Sequence, residues 1–370
     1  MHKPPKIQQI FLNSYEDFRS SVSHMSGVQE KAATAILNCK SGSLGCNISQ
    51  WTDCGHMEFH NNSCRNRNCP NCQAILKEIW IDKRRAEVID SPYFHVVFTV
   101  PHELNPLIYG NQELLYSLLH RCSSETLLEL SRDKKYLGAT PGIIQVLHTW
   151  GQTLNFHPHI HCIVSGGGLS VDQKLRKCGE KFLFYLQKHY AFGKLVFSSS
   201  CAELRNSYSW NEFRDSLYKM DWCPYIKETF NGFGNAIEYL GRYTHRIAIT
   251  NTRIQSVTET QVSFSARDYK SGETKTVILE NKEFIRRFLM HVLPSGFQKI
   301  RYYGFLNNRT KTKNLKIIFK LQGYQKFKQR YAGLSIAELL KEVWNYDIHV
   351  CPACGCSSMT HLGRSYAYRS

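Results

Sequence analysis

Apolar positions change their period several times along the chain, and each change marks an element. Ile7, Ile10, Phe11, Tyr15 and Phe18 recur at three- and four-residue intervals, and Val28 to Leu37 repeats the pattern, which predicts two short helices. Residues 74–90 keep the helical period and stop before Pro92. Phe94 to Val100 is instead a β-branched and aromatic run, a predicted strand. Leu104 to Leu130 reads as helix, Gly142 to Leu147 as strand, and His157 to Val164 as a buried strand. Helical stretches are expected at Phe182 to His189, Glu212 to Lys219 and Asn235 to Arg246. After them Arg246 to Ile254, Gln261 to Ala266 and Lys275 to Leu279 alternate like strands.

Two of these elements carry chemistry. On a strand successive side chains alternate faces, so His159 and His161 point one way while Ile160 and Cys162 point the other. Two imidazoles so placed can hold one divalent ion and leave positions open for substrate oxygens, although a pair of core histidines is the blander reading. On the helix, Tyr239 and Tyr243 stand one turn apart on one face, either as paired phenols at a site or as core aromatics.

Cysteines add a second kind of site. Cys46, Cys54, Cys64, Cys69 and Cys72 cluster with His56 and His60 between them, and Cys69-Pro-Asn-Cys72 is a knuckle that can present two thiolates to a tetrahedral zinc. The expected zinc ligands are Cys54, Cys64, Cys69 and Cys72, with Cys46, His56 or His60 as other candidates for the fourth position. A second knuckle, Cys351-Pro-Ala-Cys354-Gly-Cys356, either shares a metal with a distant cysteine or is idle. Cys39, Cys122, Cys162, Cys178, Cys201 and Cys223 read as buried small hydrophobes.

At 370 residues the chain can hold two or three domains. Its 47 Lys and Arg against 30 Asp and Glu give a formal charge of +17, which argues for a polyanionic partner, with nucleic acid the default choice. From Phe284 to Ala337 there are twelve Lys or Arg and no acidic residue. Arg301, Tyr302, Tyr303, Phe305 and Arg309 fall there, a mixture suited to phosphates and unpaired bases. Arg65 and Arg67 sit inside the cysteine cluster and suggest that it too meets DNA. No apolar run reaches the roughly 18 residues a membrane helix needs, so a cytoplasmic protein with no membrane partner is expected. Gly166-Gly167-Gly168 lacks the Lys-Ser/Thr of a phosphate-binding loop, and no nucleotide cofactor is expected.

Taken in order, several stretches resemble one family. They are Asn62 to Gln73, Phe94 to Glu103, His148 to Gln152, Leu154 to Val164, Tyr239 to Ile254, and Leu293 to Phe297 through Arg301 to Phe305. The series resembles the HUH endonucleases and, more closely, the two-tyrosine rolling-circle transposases of the insertion-sequence ninety-one type. The resemblance implies an α+β fold: an HUH endonuclease domain with an antiparallel sheet flanked by helices, a small N-terminal zinc-binding domain and a basic C-terminal region. The boundaries expected are 1–90 for the zinc-binding, DNA-binding domain, 91–280 for the catalytic domain, 281–345 for a DNA-contacting region and 346–370 for a tail. Tyr239 and Tyr243 would be nucleophiles, and His159 and His161 would hold catalytic Mg²⁺ or Mn²⁺, with zinc as the structural metal. His157, Gln152 and Glu238 remain open as the third ligand. Trp51 departs from the family pattern, which has a cysteine there paired with Cys54. Two other readings stand beside this one: a plasmid replication initiator or relaxase using the same chemistry, and a non-enzymatic zinc-dependent DNA-binding protein.

Overall fold

The computed structural model describes residues 6–89, 91–133, 137–166, 176–220, 222, 225–227, 241, 247–268, 271–323 and 328–365. In chain order its main elements begin with α1 (Ile7–Ser21), α2 (Gly27–Asn38), β1 (Cys46–Trp51), β2 (Met57–Asn61), α3 (Gln73–Arg85) and β3 (Tyr93–Thr99). They continue with α4 (Asn105–Gly110), α5 (Gln112–Arg132), β4 (Gly142–Trp150), β5 (Phe156–Ser165), α6 (Arg176–Ala191), α7 (Ser207–Lys219) and β6 (Tyr225–Lys227). The last are β7 (Ile254–Val257), β8 (Gln261–Arg267), β9 (Thr274–Glu280), α8 (Asn281–Met290), β10 (Ile300–Gly304), α9 (Lys311–Gln322), α10 (Ile336–Trp344) and β11 (Met359–Ser365). The α+β reading therefore holds, with antiparallel sheets and flanking helices.

One expected strand is absent. Residues 247–250 are irregular, and 251–253 form a single 3₁₀ turn before β7 starts at Ile254. Ile247, Ala248 and Ile249 are all buried, so this run is apolar on every side and does not alternate as a half-buried strand must.

The chain divides into two compact units that do not follow the four successive segments. One comprises 1–83, 245–292 and 328–370; the other comprises 84–244 and 293–327. Pairing explains the regrouping. In the first unit β11, from the carboxyl end, adds to β1 and gives the antiparallel order β11-β1-β2. The apolar stripe of α1 meets that of α8, with Phe11 edge-on to Phe288 at 5.5 Å, and α8 in turn covers β8 through Phe284 and Phe264. The described residues between 247 and 280 are thus held by the amino-terminal helices, which also bond to Asn251 and Thr258. A second small sheet, β7-β8-β9, completes this unit.

In the second unit a five-stranded antiparallel sheet has the order β10-β4-β5-β3-β6. Alternation sorts its two faces. Val96, Phe98, Ile143, Leu147, Ile160, Cys162 and Val164 enter a core built with α5, α6 and α7, where Leu119, Leu127, Phe182, Leu186 and Trp210 are buried. Gly304 ends β10 with φ +62°, and a Cβ there would lie 1.7 Å from the Pro141 carbonyl oxygen, so only glycine lets the edge strand close on Gly142. No helix among the described residues is long and apolar enough to cross a membrane.

Candidate metal centres and active site

The β4–β5 hairpin assembles an imidazole cluster. Its register sets His148 opposite His159 and Val146 opposite His161. Because Leu147, Ile160 and Cys162 turn into the core, His148, His159 and His161 share the other face, as the alternation at 159–162 requires. Their ligand nitrogens all lie within 4.8 Å of one another.

The hydrogen bonds orient these rings for one ion. His159 Nδ1 donates to the His157 carbonyl at 2.7 Å, which fixes the proton on Nδ1 and leaves Nε2 as a lone pair. His161 Nδ1 is 2.8 Å from His95 Nε2 on β3, so a proton on Nδ1 donates to His95 and frees the Nε2 of His161. The two Nε2 atoms are then 3.1 Å apart. Ligands about 2.1 Å from one ion and at right angles are about 3.0 Å apart, so the pair fits a divalent cation. Burial, reinforced by the neighbouring His157, pushes His159 down to about 4, which keeps it neutral and able to ligate near neutral pH. Trp150 stacks on His148 at 4.7 Å, and the Lys299 ammonium lies 4.8 Å above the Trp150 ring, placing a cation and a flat aromatic at the edge of the cluster.

His148 was missed as the third member. Its signal was its place opposite His159, which requires the hairpin register and not merely the spacing. His157 contributes its carbonyl to orient His159, and Gln152 lies in the β4–β5 turn. Glu238, Tyr239 and Tyr243 lie outside the described residues.

The cysteines form two clusters, and both differ from the expected set. Cys39, Cys64, Cys69 and Cys72 place four sulfurs within 4.8 Å of one another, with Cys72 Sγ 3.6 Å from both Cys39 and Cys64. A tetrahedral zinc with bonds of about 2.3 Å sets its sulfurs about 3.8 Å apart, so this cluster fits zinc. Cys39, expected from the sequence to be only a buried small hydrophobe, is one of the four. It is fully buried, but it sits at the end of α2 where the chain turns toward the knuckle, and it brings the fourth sulfur to the cluster. Cys122, Cys162 and Cys201 are buried as expected, while Cys178 and Cys223 fall outside the residues whose surroundings are described. Burial pushes Cys64 up to about 12 and Cys69 higher still, so a cation is needed to keep these groups as thiolates. Cys54 belongs elsewhere. The turn after β1 carries it to Cys351, Cys354 and Cys356, with Cys54 Sγ 3.5 Å from Cys351 Sγ. Cys46, His56 and His60 join neither cluster.

Candidate DNA contacts are dispersed. Arg65 and Arg67 are exposed beside the first cysteine cluster, and Arg65 lines a broad polar cleft with Lys40, His60 and Arg364. Arg309 is exposed in the turn before α9. Arg301 donates to Ser117 Oγ at 2.9 Å and lies over Phe297. Tyr302 and Tyr303 take opposite faces of β10: Tyr302 lies under the Arg84 guanidinium at 4.9 Å, whereas Tyr303 packs on the core and is unsuited to base stacking.

Comparison with known proteins fits this layout. A family described as "putative transposase" matches residues 142–314, which include the imidazole hairpin, and a "transposase zinc-binding domain" matches residues 10–100. A Sinorhizobium fredii protein named "putative transposase y4qJ" is 37% identical over 369 residues, covering 95% of this chain and 93% of that protein. The "transposase for insertion sequence element IS801" of Pseudomonas savastanoi pv. phaseolicola is 27% identical over 348 residues, covering 89% and 82%. No solved structure matches. With its N-terminal zinc-binding domain and its similarity along nearly the whole length to these transposases, the chain belongs to the insertion-sequence ninety-one type of transposase, enzymes acting on DNA.

Proposed function

We propose that the chain nicks and rejoins single-stranded DNA at insertion-sequence ends through 5′-phosphotyrosine intermediates, and so drives rolling-circle transposition. The observation that carries this reading is the convergence of His148, His159 and His161 on one face of the five-stranded sheet. A Mg²⁺ or Mn²⁺ ion bound there supplies Lewis-acid stabilisation of charge on the scissile phosphate. Tyr239 or Tyr243 acts as nucleophile: its phenolate oxygen bonds phosphorus as the bond to the 3′ oxygen breaks, and that oxygen takes a proton and leaves as a 3′-hydroxyl. Attack by a free 3′-hydroxyl on the phosphotyrosine reverses the step, returning the phenol and rejoining the strand. Two tyrosines allow two such cleavages, and no nucleotide hydrolysis is required. His157 and His95 hold the imidazoles in their tautomers, and Arg65, Arg67, Arg301 and Arg309 neutralise backbone phosphates.

The test is incubation of the purified chain with labelled single-stranded DNA carrying the element's end and Mn²⁺ or Mg²⁺, followed by a denaturing gel. A covalent band is expected that disappears with EDTA, with Tyr239→Phe plus Tyr243→Phe, and with His159→Ala. DNA binding with no covalent band, across several end sequences and both metals, would leave a DNA-binding protein without strand-transfer chemistry.

A further inference from the structure

Three of the four thiols in the second cysteine cluster, Cys351, Cys354 and Cys356, lie more than 250 residues beyond the matched zinc-binding segment at 10–100. The cluster is nonetheless built like the first. Four sulfurs lie within 4.8 Å of one another, with separations of 3.5 Å between Cys54 and Cys351 and 3.1 Å between Cys354 and Cys356. Neither separation approaches the roughly 2.05 Å of a disulfide. Backbone amides already point at sulfur: Ala353 N–H donates to Cys351 Sγ at 3.4 Å, as Asn66 N–H does to Cys64 Sγ at 3.5 Å in the first cluster. Such bonds stabilise a thiolate, and a neutral thiol gains little from them.

The loops that carry the thiols are fastened to each other independently. Thr52 donates from both its backbone and its hydroxyl to the Ser358 carbonyl, at 3.0 and 3.1 Å. Trp51, fully buried, donates from its indole to the His349 carbonyl at 3.0 Å. Cys351 N–H and Gly355 N–H close the 351–356 turn on Cys356 and Cys351, with Gly355 at φ +77°. Four thiols brought together by segments 297 residues apart need a reason beyond packing, since Cys54 and Cys354 are exposed and bury little.

We infer that Cys54, Cys351, Cys354 and Cys356 form a second zinc site, which clasps the carboxyl-terminal strand β11 to β1 and so completes the zinc-binding sheet. The site is structural, since four protein ligands leave no open position. It also explains how Trp51 is accommodated. The thiol that the knuckle ending at Cys54 lacks is supplied from the other end of the chain.

The experiment is differential alkylation of the full-length, zinc-loaded protein with peptide mapping, alongside zinc content measured in a His159→Ala background to remove the imidazole site. Zinc-loaded protein should protect all four thiols, and mild chelation should expose Cys54, Cys351, Cys354 and Cys356 together, before Cys39, Cys64, Cys69 and Cys72. Zinc content should be two per chain, falling to one with Cys354→Ser and, separately, to one with Cys64→Ser. Alkylation of Cys54 and Cys354 in zinc-loaded protein at the rate of free exposed thiols would overturn the site, as would a disulfide between any two of the four. The mapping uses the unmutated chain, so it decides the matter even where a serine variant does not fold.

Discussion

The strand that carries His148 and the strand that carries the Cys54 turn solve the same problem by different means. In β4 eight of nine residues are buried, and the strand is held on both sides by neighbours and below by α5. In the β11-β1-β2 sheet only Ser49 and Trp51 are buried, while Phe59 and Leu362 are more than half exposed. Burying a large apolar side chain stabilises by about 1.5–3 kcal/mol, so the first arrangement has ample means and the second very little. Thiolate clusters flank the sheet that lacks a core, and the imidazole cluster sits on the sheet that has one. The contrast is therefore between a β11-β1-β2 sheet whose own packing is thin and which a metal would have to support, and a sheet on which the imidazole cluster rests on a surface that packing already builds.

The sharpest way to break this contrast is to strip the metals. Zinc bound to structural thiolate sites contributes on the order of 10 kcal/mol at neutral pH. Exhaustive chelation should abolish hydrogen-exchange protection in β1, β2 and β11 and leave β3, β4 and β5 protected. Equal loss of protection in both sheets would show that the second also depends on metal.

A converse change attacks the packed sheet. Gly304→Ala places a Cβ against the Pro141 carbonyl oxygen at a left-handed φ, and its neighbour Gly142 is already closed in by Phe305. A loss of about 3 kcal/mol or more is expected, since neither backbone can yield without parting β10 from β4. Urea unfolding read from the second unit should show it, with zinc content unchanged. A shift within 1 kcal/mol would mean that the edge strand carries little of the stability.

How much of this was legible depended on the range of the contact. The strand 156–165, its alternation, and the side-by-side placement of His159 and His161 followed from period two within a single segment. Helices α1, α2, α5, α6 and α7 followed from period 3.6. What the sequence concealed was pairing at a distance: His148 needed the hairpin register, Cys39 needed the turn after α2, and Cys54 needed a partner at residue 351. The knuckle at Cys351 is visible, and so is its lack of a nearby partner, but β11 is mostly exposed and lacks the apolar alternation that marks a strand. The basic run after Phe284 is not a uniform cationic surface. Arg286 and Arg287 are paired with Glu283, and Lys311 with Glu87.

If the imidazole sheet is independent of metal, removing a ligand should cost affinity and spare the fold. His148→Ala should weaken Mn²⁺ binding by about 100-fold, or roughly 2.7 kcal/mol, while the unfolding midpoint of the second unit moves little. Calorimetric titration with Mn²⁺ and a parallel urea melt separate the two. Unchanged affinity would remove His148 from the site; collapse of the sheet would make it a packing residue.

The smallest effect concerns the other face of the same sheet, where no metal is involved. His120 on α5 is fully buried against Gln145 of β4, near Arg301 and the Phe297 ring. Burial, with the Arg301 charge adding to it, lowers its pKa to about 3 from an ordinary value near 6.5. The unfolded chain therefore binds a proton that the folded chain refuses. Stability from this group is complete above pH 6.5 and declines as the pH falls toward 3, by at most about 1.4 kcal/mol for each pH unit. His120→Leu removes the titrating group, so, whatever stability is lost with the Gln145 hydrogen bond at every pH, its urea stability should fall less than the parent's between pH 6.5 and 4.5. Equal loss in the two proteins would assign the acid sensitivity to other groups.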